Sequence, residues 1–250
     1  MSIHYFRSLA GRNRTHRANQ HIGFILAFVA GAINAGGFLA VQQYTSHMTG
    51  IVSSIADNVV LGLYDVVAVG IGALLAFLLG AACCALMINF ARRRKLNSEY
   101  ALPLLLEAFL LLLFGVLGAQ ISLIGFPFVP VTVVLLCFIM GLQNAVITKL
   151  SNAEIRTTHI TGIVTDIGIE FGKLIYWNRS PEVVKVVANK ARLKVLVLLA
   201  TLFFVGGVVG ALGFKQLGYI STVPLALVLV MLASVPAVDD LLRLLRRGEN

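Results

Sequence analysis

Six stretches of this chain, about residues 22–41, 67–91, 101–122, 129–149, 193–213 and 221–238, are long and almost wholly apolar. A run of about 20 apolar residues is what a helix needs to cross the hydrocarbon core of a bilayer. A backbone placed there must satisfy its own N–H and C=O groups, so these stretches can be little other than helices. Only 12% of the residues are charged, against roughly a quarter in soluble domains. The chain therefore reads as an all-α integral membrane protein. The first apolar run is interrupted by Gly31, Asn34, Gly36 and Gly37 and lacks a small-residue exit, which favours a retained span over a cleaved signal. Cys83, Cys84 and Cys137 sit in apolar runs with no metal or disulfide spacing, so they read as packing residues, with no metal or cofactor expected.

Two further segments, about 45–64 and 157–176, are long but polar, and they repeat each other. Thr45-Ser46-His47-Met48-Thr49-Gly50-Ile51-Val52-Ser53 matches Thr157-Thr158-His159-Ile160-Thr161-Gly162-Ile163-Val164-Thr165 at six of nine positions, and a Gly-x-x-Asn-Ala (Gly31, Asn34, Ala35; Gly141, Asn144, Ala145) precedes each. Pro103-Leu104-Leu105 and Pro224-Leu225-Ala226 are a second pair of landmarks, and Gly80-Ala81 with Gly210-Ala211 a third. The chain divides into a basic arm (1–21), repeat one (22–125), repeat two (126–238) and a tail (239–250).

Basic residues collect on the cytoplasmic side of bacterial membrane proteins. If the two polar segments turn back without crossing and the N-terminus is cytoplasmic, 19 of the 20 Lys and Arg lie inside and only Lys215 outside. If both segments cross, the division is 13 against 7. The first arrangement is expected: two inverted repeats, each of three spans and one polar re-entrant helix, with both termini cytoplasmic. Two parallel four-helix repeats are the alternative. Residues Pro181 to Lys194 alternate valines with basic residues and follow Tyr176 and Trp177, the pattern of a short amphipathic helix on an anionic leaflet. The net charge of +9 is thus a topology signal, and nucleic acid is not expected as a partner. The small-residue faces at Gly70, Gly72, Gly80 and at Gly206, Gly207, Gly210 suit helix packing within one chain or in a homo-oligomer.

Inverted repeats commonly place a working site where the halves meet. The candidate lining is Asn34, His47, Thr49, Gly50, Asn144, His159, Thr161 and Gly162. Thr45 and Thr157 are expected as N-caps, the histidines in the first turn, and Gly50 and Gly162 as points of close approach by another helix. Two helix starts meeting at the centre suit an anion or a polar solute. Asp166 and Glu170, four residues apart, with Asp57 and Glu107, are candidates for tuning charge or carrying protons. The expected function is a transporter or channel for a small anion or polar metabolite, passive or proton-coupled. A divalent-metal transporter, a membrane enzyme and a scaffold are the alternatives. No catalytic motif is present, and an enzyme is not expected.

The motifs Gly31-Ala-Ile-Asn34-Ala35, Thr45-Ser-His-Met-Thr49-Gly50, Gly141-Leu-Gln143-Asn144-Ala145 and Arg156-Thr-Thr-His159-Ile-Thr161-Gly162 resemble the YoaK-like family of bacterial inner-membrane proteins, which carry a domain of unknown function. The resemblance runs from about Ile22 to the last span. It implies a multi-pass protein of a bacterial inner membrane and no established substrate.

Overall fold

The computed structural model describes residues 15–96, 98–124, 129–151, 157–178 and 184–248. The described residues form α1 (His16–Val41), α2 (Met48–Val60), α3 (Tyr64–Arg93), α4 (Ala101–Ile124), α5 (Val129–Leu150), α6 (Ile160–Ile175), α7 (Lys190–Leu217), a 3-10 turn (Gly218–Ser221) and α8 (Thr222–Gly248). Each of the six apolar stretches lies in a helix. Five helical runs are long and apolar enough to cross a membrane, the fifth being the 45 residues Lys190–Ser234. A straight helix of that length spans about 67 Å, twice a bilayer core. The run breaks at Gly218, where φ is +62°, and doubles back far enough for Gly213 to touch Ser221. Helix α8 continues to Gly248, so the expected tail is largely helical, and α1 starts inside the expected arm; residues 1–14 and 249–250 lie outside the described set.

Packing follows a two-fold pattern. Helix α1 pairs with α7, and α3 with α5; α4 pairs with α8; each short helix packs on the one after it, α2 on α3 and α6 on α7. Exchanging the first four helices with the last four leaves this scheme unchanged. The two principal pairs are built from one device used four times, a phenylalanine followed three residues later by glycine: Phe28/Gly31, Phe77/Gly80, Phe138/Gly141 and Phe203/Gly206. A Cβ on Gly31 would strike the carbonyl oxygen of Phe203, and one on Gly206 that of Phe28; Gly141 meets the carbonyl of Phe77, and Gly80 that of Phe138. Each crossing is thus reciprocal, with two backbones in contact at two points. Such approaches permit Cα–H···O contacts and dense packing, which drive helix association in lipid. This register makes Gly206, not Gly210, the counterpart of Gly80. Gly210 meets Ala32 one turn further on.

The chain leaves α1 at Gln42, in left-handed conformation with φ 56°, and returns along it. Ser46 Oγ donates to Asn34 Oδ1 at 2.7 Å, seven residues before the end of α1, which is about 10 Å back along the helix. The second half does the same, with Thr158 Oγ1 donating to Asn144 Oδ1. The short helices start from there. At 13 and 16 residues they measure about 20 and 24 Å, too short to cross a core of about 30 Å upright.

The expected amphipathic helix over 181–194 is not formed. Described residues 184–189 are irregular, helix starts only at Lys190, and 179–183 lie outside the described set. Asn178 explains the departure: its side chain bonds both backbone groups of Val186, which withdraws that residue from a helical ladder.

Gly31→Ala and Gly141→Ala are expected to cost about 1–3 kcal/mol each by overpacking, measured by denaturant titration in micelles. Gly168→Ala, on α6 with no atom in contact range of a new Cβ, is expected to be neutral or stabilising by up to about 1 kcal/mol.

Candidate functional site

The two doubled-back segments bring both short-helix starts to one cavity of about 640 Å³. Twelve of its fourteen lining residues fall into equivalent pairs: Asn34/Asn144, Ser46/Thr158, His47/His159, Met48/Ile160, Thr49/Thr161 and Phe77/Phe203, with Tyr44 and Thr148 unmatched. Six of the eight residues expected to form a central site therefore meet there. No Asp, Glu, Lys or Arg lines it. Hydroxyls, amides and two imidazoles supply the polar surface, and Phe77 and Phe203 are among the apolar lining.

The asparagines act as braces. Asn34 Oδ1 accepts from the Ser46 hydroxyl, with a longer bond from its N–H at 3.4 Å. Asn144 holds the Thr158 hydroxyl and anchors its own Nδ2 on the Met140 carbonyl at 2.7 Å. Each fixes the residue just before a histidine. Tyr44 is stacked on Phe38 with ring centroids 4.4 Å apart, which steadies the returning strand of the first half.

His47 and His159 occupy the N-cap positions of α2 and α6 and not the first turn expected for them, and neither makes a side-chain cap hydrogen bond. Thr45 and Thr157, expected as caps, are instead fully buried, and their hydroxyls have no partner among the described residues. The reason is the return strand: held by Asn34 and Asn144, it places the threonines against the bundle before the helix begins. Gly50 and Gly162 have a different role from the one expected. A Cβ on Gly50 would lie 2.5 Å from His47 Nδ1, and Gly162 stands in the same relation to His159. These glycines let each imidazole fold over its own first turn; they receive no second helix and do not line the cavity. No side chain caps either helix, and both starts line the cavity, so the positive ends of two helix dipoles lie at it.

The four carboxylates stand elsewhere. Asp166 pairs with Arg192 at 2.9 Å. Glu170 accepts from Lys173 Nζ at 2.8 Å and from the Asn189 N–H at 2.7 Å. Both tie α6 to the start of α7, and the Lys173 ammonium, then the Asn189 N–H, hold the Glu170 carboxyl below its usual range. Asp57 is exposed near the end of α2. Glu107 is fully buried in α4, with neither carboxylate oxygen partnered among the described residues. Sequence reasoning missed Phe77 and Phe203; the signal for them was the fourfold Phe-x-x-Gly repeat. Among the described residues no group of three or more His, Cys, Asp or Glu could hold a metal.

These features define a multi-pass membrane protein, helical throughout its regular described elements, with a polar cavity free of Asp, Glu, Lys and Arg that is lined by both halves. The chain belongs to the family described as protein of unknown function (DUF1275), whose model matches residues 22–235. It is 26% identical over 208 residues to the UPF0700 transmembrane protein YoaK of Bacillus subtilis (strain 168), an alignment covering 82% of this chain and 88% of that protein. No solved structure matches.

Because the Glu170 carboxyl is lowered in the folded state, its contribution is complete above the unfolded value of about 4.3 and is lost as pH falls through the folded value. The thermal midpoint of Glu170→Gln is thus expected below wild type at neutral pH, with the gap closing in acid. A gap that persists unchanged at low pH contradicts this assignment.

Proposed function

We propose that this chain is a transporter or channel for a small anion or small polar metabolite, with the two His-x-Thr-Gly segments forming its central site. The observation that carries this reading is the convergence of two uncapped helix starts, one from each half, on a single cavity free of Asp, Glu, Lys and Arg. Helix-start N–H groups, hydroxyls and imidazoles are donors for an anion or an acceptor-rich solute, and the positive helix ends disfavour a cation. In this reading the halves are inverted repeats. The short helices re-enter from opposite faces, and both termini lie on the cytoplasmic side of a bacterial inner membrane. The distribution of 19 of 20 basic residues supports that orientation. The doubled-back strands support re-entry, because they carry polar backbone inward only where helices and the cavity satisfy it.

His47 and His159 are the imidazoles at the cavity, able to give or take a proton as a solute enters. Proton coupling would act through them, since Asp166 and Glu170 are engaged in ion pairs. Two imidazoles supply only two of the four ligands that zinc usually takes, so an anion or neutral solute fits this cavity better than a metal. The protein acts by passage and not by catalysis.

Proteoliposomes loaded with an anion-sensitive dye and challenged with chloride, nitrate or formate test the proposal. Flux above empty vesicles is expected for at least one. His47→Ala and His159→Ala should each reduce it roughly tenfold or more, as loss of a donor to a charged group does, with the thermal midpoint kept. Full flux in the double variant overturns the proposed site. Loss of fold in both variants supports a scaffold instead.

A further inference from the structure

The two halves differ most where the short helix joins the next long one. In the first half α2 and α3 are linked by Leu61, Gly62 and Leu63, and no Lys or Arg occurs between Arg17 and Arg92. In the second half α6 and α7 stand 14 residues apart in sequence, and the described parts of this strap are 176–178 and 184–189. It is followed at once by Lys190, Arg192 and Lys194. No described residue of 176–189 lines the cavity, so the strap answers to something other than the shared site.

Its described parts are fixed in shape. Asn178 clamps Val186 by two hydrogen bonds of 3.1 and 2.9 Å, and Glu170 holds the Asn189 N–H. On this frame Tyr176, Trp177 and Val184 stand out, Trp177 at 80% and Val184 at 92% exposure. Lys185, Lys190 and Lys194 are exposed beside them, and none has an ion-pair partner among the described residues. Arg192 is already engaged by Asp166. Amphipathic aromatic rings seat at the level of lipid headgroups, and unpaired lysines next to them attract anionic ones.

We infer that residues 176–178, 184–189 and the start of α7 form a seat for anionic phospholipid headgroups, with Tyr176 and Trp177 at the headgroup level and Lys185, Lys190 and Lys194 on the phosphates. Because the strap is tied to α6 through Glu170, lipid seated there steadies one of the two helices that open on the cavity and not the other.

The test uses the full chain, with phosphatidylglycerol as probe against phosphatidylcholine, read by retained lipid in native mass spectrometry and by the thermal midpoint in nanodiscs of each composition. Wild type should retain phosphatidylglycerol selectively and melt higher in its presence. Retention should fall roughly fivefold for each lysine changed to glutamine. The triple variant K185Q/K190Q/K194Q should lose the midpoint difference, and K185R/K190R/K194R should keep it. Equal phosphatidylglycerol retention in wild type and triple glutamine variant overturns the inference. So does displacement of the effect by soluble glycerol phosphate, which would make the seat one for a free anion. If the glutamine variant fails to fold, phosphatidylglycerol selectivity in Lys215→Gln and its loss in Lys190→Gln alone decide the matter.

Discussion

Lipid is as apolar as a leucine side chain, so helices in a bilayer gain little by hiding leucines from it, and close backbone contact has to carry their association. Here that contact is the reciprocal crossing of phenylalanine carbonyls over glycines, made between α1 and α7 and again between α3 and α5. Each crossing joins a helix of one half to a helix of the other. The halves are therefore interleaved among the described residues. The same tetrads set the site. Gly31 and Gly141 lie one turn before Asn34 and Asn144, and Phe77 and Phe203 offer their carbonyls to the crossing and their side chains to the cavity.

From these crossings the rest follows by short steps. Asn34 and Asn144 project one turn along and catch the returning chain at Ser46 and Thr158. That catch sets where α2 and α6 start, and the starts deliver two histidines to one cavity. Glycine three residues after each histidine leaves room for the ring to lie over the first turn. The positions of both imidazoles thus depend on backbone contacts made one turn away in the helix pairs.

Much of this was legible in the sequence. Apolar length located every long helix, since a bilayer admits few other structures. Repetition of His-x-Thr-Gly after Gly-x-x-Asn located the cavity and its braces, because duplicated polar residues within apolar sequence have few bland explanations. The fourfold Phe-x-x-Gly went unread because apolar residues in a span look interchangeable until a partner backbone shows which glycine is crowded. Asp166 and Glu170 were assigned to charge tuning because their partners, Arg192 and the Asn189 N–H, lie 26 and 19 residues away, a spacing that no helical pattern reveals. Thr45 and Thr157 look like N-caps by residue type. The tether to Asn34 and Asn144 moves the helix start past them, a tertiary constraint that local propensity does not carry.

The central claim is that both short helices open on one cavity within a single chain. It is tested most directly by cross-linking. With Cys83, Cys84 and Cys137 replaced by alanine, Thr49→Cys and Thr161→Cys are introduced together and treated with a short bifunctional thiol reagent in membranes. The account predicts an intramolecular bridge in the monomer band, recovered as one linked pair of peptides from 45–60 and 157–175. If both cysteines react singly but never join, or join only between two chains, the shared cavity does not exist and the proposed passage goes with it.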